Sequence, residues 1–203
     1  MHISEGILGV PVLAAGTGLA ILGTAIGLKK MDYERLPQVA VLSSAFFVAS
    51  FIHVPLGPAA VHLVLNGLCG LLLGWLAFPA ILVGLALQAL LFQFGGLTTL
   101  GVNTFNLAFP GVLVAYTCGR GLRSPSRVVR GLAEFTAGAG AILLSGLLVA
   151  FSLVATGESF NAAARLIVAA HVPVMVIEGI LTVFVVEFVK RVRPEMLGGT
   201  FPQ

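Results

Sequence analysis

Leu63-Val64-Leu65-Asn66-Gly67-Leu68-Cys69-Gly70-Leu71-Leu72-Leu73-Gly74-Trp75-Leu76-Ala77-Phe78-Pro79-Ala80-Ile81-Leu82-Val83-Gly84-Leu85-Ala86-Leu87-Gln88-Ala89-Leu90-Leu91-Phe92 contains no Asp, Glu, Lys or Arg. Such a run is too apolar for a soluble core and long enough to cross a bilayer, which takes about 20 apolar residues. Phe78-Pro79 divides it, so the spacing predicts two spans joined by a tight hairpin. The rest of the chain has the same character. Of 203 residues, 58% are hydrophobic and 9% charged, and mean hydropathy is +1.07. Soluble domains carry about 25% charged residues. The chain therefore reads as one all-α integral membrane domain over 1–203, with no room for a soluble domain. Its net charge of +3 is no sign of nucleic-acid binding.

Seven apolar segments are predicted as transmembrane helices, at 7–28, 36–52, 59–78, 79–94, 103–119, 131–155 and 162–189. Basic residues set their direction. With the N-terminus outside and the C-terminus cytoplasmic, ten of the 11 Lys and Arg residues face the cytoplasm, Arg165 being the exception. That is the positive-inside pattern. No basic segment precedes the first apolar run, which argues against a cleaved signal peptide. Cys69 and Cys118 lie in apolar segments and read as small core residues.

The first six residues, Met1-His2-Ile3-Ser4-Glu5-Gly6, carry the strongest chemical signal. A free α-amine on Met1, the His2 backbone nitrogen and the His2 imidazole could bind one metal ion in fused chelate rings. Such nitrogen donors suit first-row transition metals. Initiator-methionine removal requires a small second residue, so Met1 is expected to stay. All four histidines, His2, His53, His62 and His171, fall in the outer half of this topology. Ionisable groups at membrane depth mark sites and pathways. His62, one turn into the third segment, is the favoured further ligand. His53, at the end of the second, reads equally as an interfacial histidine. His171 could be a ligand, an orienting partner, or a cap for a helix broken by Pro173. Glu178 shares a helix face with it, about 10 Å away, and would line a polar track or make a buried bond between helices. Glu5 would attract a cation or hold the N-terminal segment.

Residues 95–106 form a Gly-rich polar loop holding Thr98, Thr99, Asn103, Thr104 and Asn106. Its side chains could orient imidazoles. The simpler expectation is an ordinary outer loop with Asn103 capping the fifth helix. Ala45 and Ala49 make a small-xxx-small pattern that favours close helix packing. No G-x-x-x-x-G-K-[ST], His-Glu-x-x-His or Gly-x-Ser-x-Gly motif occurs, so neither ATP hydrolysis nor enzyme chemistry is expected of this chain.

Several blocks, in order, resemble the CbiM/NikM family, the membrane substrate-capture (S) components of energy-coupling factor (ECF) cobalt and nickel transporters. They are Met1–Gly6, Pro58-Ala59-Ala60-Val61-His62-Leu63, Leu87-Gln88-Ala89-Leu90-Leu91-Phe92, Gly95-Gly96-Leu97-Thr98-Thr99-Leu100-Gly101, His171-Val172-Pro173-Val174-Met175-Val176-Ile177-Glu178-Gly179 and Arg191-Val192-Arg193-Pro194-Glu195-Met196-Leu197. The resemblance implies a six-helix S-component core plus one extra N-terminal helix. It implies metal capture by the Met1 amine, both His2 nitrogens and a helix-3 histidine aligned with His62. It further implies a transmembrane T component packed on the Ala45–Ala49 face, two ATPase subunits and a small accessory membrane protein. The transported ligand would be Co2+ or Ni2+, with cobalt for cobalamin synthesis favoured, across the inner membrane. No resident cofactor is expected. A stand-alone carrier or channel for a divalent cation is the alternative. Phe94 stands where many relatives carry a polar residue or His.

Overall fold

The computed structural model describes residues 2–56 and 59–198, with side chains at 2–52 and 62–197. Its helices are α1 (Val10–Lys29), α2 (Leu36–Ala49), α3 (Asn66–Leu73), α4 (Ala77–Phe92), α5 (Leu100–Leu122), α6 (Arg127–Thr156), α7 (Asn161–Val192) and the short α8 (Glu195–Gly198). By length and composition, helical stretches apolar enough to cross a membrane are Val10–Lys29, Arg127–Thr156 and Glu158–Val192, and Asn66–Phe92 only when α3 and α4 are taken end to end. Large apolar side chains point outward along them, including Val10, Phe151 and Phe184, each at least 70% exposed. Water would not tolerate such a surface, and lipid would.

Contacts between the helices fix their directions. Gly27 of α1 packs on Trp75 and Pro79, while Gly16 packs on Val102 at the start of α5. Trp75 Nε1 donates to the Tyr116 hydroxyl at 3.0 Å. Ser43 of α2 donates to the Ala80 carbonyl, Asn106 of α5 to Ser152 of α6, and Arg130 of α6 to Glu187 of α7. Helices α1, α3, α5 and α7 therefore run one way, and α2, α4 and α6 the other. The ten clustered basic residues all lie at the end where α1, α3, α5 and α7 finish. At Gly70 and Gly111, α3 and α5 touch backbone to backbone, since a Cβ on Gly70 would lie 1.9 Å from the Gly111 carbonyl oxygen.

The segment 59–78 departs from its expected helix. Residues Ala59–His62 form a strand, β3, paired antiparallel with β2 (His53–Leu56), and α3 begins only at Asn66. The chain stops being extended at Leu65, which has a left-handed φ of 57°. Here the backbone N–H groups of Val64 and Leu65 turn to the Glu178 carboxylate instead of a preceding helical turn. At eight residues α3 is about 12 Å long, less than half of the ~30 Å hydrocarbon core. The reversal into α4 occurs at Gly74 (φ 58°), with Pro79 inside the first turn of α4, where proline is tolerated, so Phe78-Pro79 is not the turn. Helix α2 ends at Ala49, so His53 opens β2 and does not end a helix. Pro110 and Pro173 lie within α5 and α7 without ending them.

The bundle is helical as expected, with one addition. The strand β1 (His2–Ile3) pairs with β3, opposite Ala60 and Ala59, giving a three-stranded sheet in the order β1-β3-β2.

Candidate metal centre

Backbone pairing brings the N-terminal segment to His62. His2 and His62 are 4% and 2% exposed. Their rings stack with centroids 4.5 Å apart at 28°. His62 Nδ1 lies 2.6 Å from the Leu63 carbonyl oxygen. A carbonyl only accepts, so the ring proton sits on Nδ1 and the Nε2 lone pair is free. That Nε2 is buried and has no hydrogen-bond partner. A neutral imidazole whose other nitrogen donates to a carbonyl is the form that ligates metals. The expected place of His62 on a helix is corrected: it ends β3.

Three contacts hold β1 against the rest of the bundle. Asn103 Oδ1 accepts from the Ile3 N–H at 2.9 Å, and its Nδ2 donates to the Ile3 carbonyl at 3.1 Å. The Thr99 hydroxyl donates to the same carbonyl at 2.9 Å. With β3 on its other edge, the strand presents no open edge to the apolar interior. Asn103 is thus not the cap of α5. That place belongs to Thr99, whose side chain does not cap. Thr99 and Asn103 of the 95–106 segment hold the backbone of Ile3, next to His2 in the strand.

Glu5 and Thr98 form the next clamp. The Glu5 carboxylate accepts from the Thr98 N–H at 3.0 Å, and the Glu5 N–H donates to the Gly95 carbonyl at 3.0 Å. The Thr98 N–H holds the Glu5 carboxyl below its usual pKa. These bonds hold the N-terminal segment, one of the two roles expected of Glu5. Gly95 and Gly96 have φ of 78° and 137°, and a Cβ on Gly96 would lie 1.8 Å from Glu5 Cγ. Glycine is what lets this loop close on Glu5. Phe94, in the same loop, lies over the His2 ring at 6.3 Å.

From the opposite side, α7 supports the turn that follows β3. Glu178 is fully buried, and its carboxylate takes the Val64 N–H at 2.5 Å and the Leu65 N–H at 2.9 Å. The carboxylate thus faces the N-terminus of α3. His171 lies on the same buried face of α7. Its Nδ1 donates to the Ile167 carbonyl at 2.5 Å, and its Nε2 is buried without a partner. It therefore does not cap a break at Pro173. Among the described residues no three His, Cys, Asp or Glu side chains converge closely enough to hold an ion. His2 and His62 form the stacked pair.

Met1 lies outside the described residues, and so does the side chain of His53, whose backbone pairs opposite His62. Ala49 is buried, while Ala45 is half-buried between the exposed Val41 and Val48. Sequence reasoning singled out neither Thr99 as a support for Ile3 nor Gln88, which is fully buried with both amide atoms unpartnered. A polar amide inside an otherwise apolar helix was the available signal.

Known proteins agree with this architecture. A provisionally named metal transport protein of Haemophilus influenzae is 41% identical, over 98% of this chain and 98% of its own length. The cobalt transport protein CbiM of Kyrpidia tusciae is 33% identical over 97% of this chain and 86% of its own. A crystal structure of a transition metal transporter superposes with a TM-score of 0.77 at 24% identity, covering 95% of this chain and 93% of that one. The profile of the CbiM family, described as the cobalt uptake substrate-specific transmembrane region, matches residues 2–196, and this multi-pass membrane chain belongs to that family.

Proposed function

We propose that this chain captures Co2+ or Ni2+ outside the cell and passes it inward as the substrate-specific membrane component of an ATP-driven ECF transporter. The observation that carries the reading is the buried His2–His62 pair, with His62 Nε2 unengaged. A free Met1 amine, the His2 backbone nitrogen, the His2 imidazole and His62 Nε2 would supply four nitrogen donors. The fused cobalt and nickel transport proteins among its relatives support both metals, and the family description favours cobalt.

In this reading the chain crosses the inner membrane seven times, N-terminus outside, with the third crossing made by the β2–β3 hairpin and α3 together. The alternating helix directions and the basic residues gathered at one end support it. The chain holds no nucleotide-binding motif, so two ATPase subunits would drive release through a T component. That partner would lie on the stripe of Val41, Ala45 and Val48, bordered by Ala49, with a small accessory membrane protein completing the assembly. An ATP-independent carrier would need no such partners, and reconstituted vesicles with and without ATP separate the two.

Binding requires neutral donors and releases protons, so affinity falls in acid. The test of the site is a Ni2+ and Co2+ titration of the protein, beside a form with one residue added before Met1. Tight one-to-one binding by the first and loss in the second is expected. Equal binding by both would remove the amine from the site.

A further inference from the structure

A second cavity, remote from the histidines, lies at the basic end of the bundle between the start of α6 and the end of α7. It holds about 340 Å³ and is lined by Arg127, Arg130, Glu134, Phe184, Glu187 and Arg191, among others. The floor is a charge-balanced chain. Arg130 Nε donates to Glu187 Oε1 at 3.0 Å, and Lys190 bonds both Glu187 and the buried Glu134. Glu134 Oε2 is buried without a partner. Arg127 and Arg191 lie at the exposed rim, and neither makes an ion pair among the described residues. The rim therefore carries two uncompensated positive charges. The N-terminus of α6 adds to them, because its Ser126 side chain makes no capping bond and the first-turn N–H groups stay available.

The wall of the cavity decides the kind of ligand. Val183 and Phe184 continue it down the lipid-facing surface, with Phe184 72% exposed. A soluble anion would use the guanidinium groups alone and gain nothing from the phenyl ring. A phosphodiester carrying an acyl chain uses both. Basic pockets between helices at a membrane surface hold such headgroups, and paired guanidinium groups match phosphate oxygens.

We propose that this cavity is a binding site for an anionic glycerophospholipid, its phosphate held between Arg127 and Arg191 and one acyl chain lying along Val183 and Phe184.

The test uses the full chain in detergent, with native mass spectrometry reading bound dioleoylphosphatidylglycerol against dioleoylphosphatidylcholine. Each arginine is expected to contribute about fivefold, so the wild type should prefer the anionic lipid by about 25-fold. Arg127→Gln with Arg191→Gln should bring the two lipids close to parity, while Arg120→Gln, at the same end but outside the cavity, keeps the preference. Ni2+ binding in the double variant reports that it is folded. Equal retention of both lipids by the wild type, or an undiminished preference in the folded double variant, overturns the proposal. So does displacement of the lipid by millimolar inorganic phosphate, which would mark a soluble-anion site. Loss of a co-purifying partner protein in the double variant, with no lipid preference in the wild type, would mark a protein-docking surface instead.

Discussion

Asn103 pairs with Ile3 as a neighbouring strand would, accepting its N–H at 2.9 Å and donating to its carbonyl at 3.1 Å. Ile3 is fully buried, so these polar groups have no access to bulk water. Asn103→Ala leaves the Ile3 N–H unsatisfied, at a cost of about 1–3 kcal/mol. The bundle should survive, because its helices pack independently of that bond. His2 should lose its fixed position, and Ni2+ affinity should fall about 10- to 100-fold, the range for partners that orient ligands. Asn103→Asp should do no better, since a carboxylate cannot donate to the carbonyl. Calorimetric titration of both variants decides it, and an unchanged Kd in either would separate the strand clamp from metal binding.

Glu178 makes a contrasting prediction, because it holds the turn after His62 and not the N-terminal strand. Glu178→Ala removes the acceptor for two backbone N–H groups. Bonds to a charged group are worth about 1.5–3 kcal/mol each, and unmet buried donors cost a similar amount. The start of α3 should loosen, and thermal unfolding in detergent should shift down by several degrees. Glu178→Gln keeps one acceptor and should fall between. A variant as stable as the wild type would mean that Val64 and Leu65 find other partners.

The helices were legible in the sequence because lipid-exposed spans must be apolar along their length. The strand at Ala59–His62 was not. A short apolar run looks the same as strand or helix, and periodicity cannot separate them. What distinguishes them here is Glu178, 114 residues away from Val64. The pairing of His2 with His62 was legible as chemistry, since both are imidazoles that the predicted topology puts in one half. The role of Asn103 was hidden for the converse reason. A polar residue near a helix start reads as a cap, and only the fold shows that its amide reaches a strand 100 residues earlier.

Gly96 and Gly6 separate strain from collision. Both have positive φ, 137° and 76°. A Cβ on Gly96 would overlap Glu5, whereas one on Gly6 would meet nothing within 4 Å. Gly6→Ala should cost about 1 kcal/mol of backbone strain and leave metal binding nearly intact. Gly96→Ala must push Glu5 off Thr98 and release the N-terminal segment. Hydrogen exchange at residues 2–6 should rise in Gly96→Ala and change little in Gly6→Ala. Equal protection in the two would show that the Glu5 clamp does not hold β1.

The same clamp predicts an order of events in acid. The folded-state pKa of Glu5 is depressed by the Thr98 N–H. Its contribution is therefore full above the ordinary carboxylate value of 4.5 and is lost as pH falls through the lower folded value. A free α-amine takes a proton near pH ~8, and that proton competes with a metal ion. As pH falls below about 8 metal affinity should therefore decline while the N-terminal segment stays protected from exchange down to the carboxylate range. Below 4.5 the segment should begin to open. Measuring Ni2+ occupancy and hydrogen exchange at residues 2–6 across pH 8 to 4 resolves the two steps. Simultaneous loss would mean that the ion, and not Glu5 with Asn103 and Thr99, keeps the strand in place. His62→Ala gives the control: without the ligand, occupancy should vanish at every pH while protection of the segment follows the carboxylate alone.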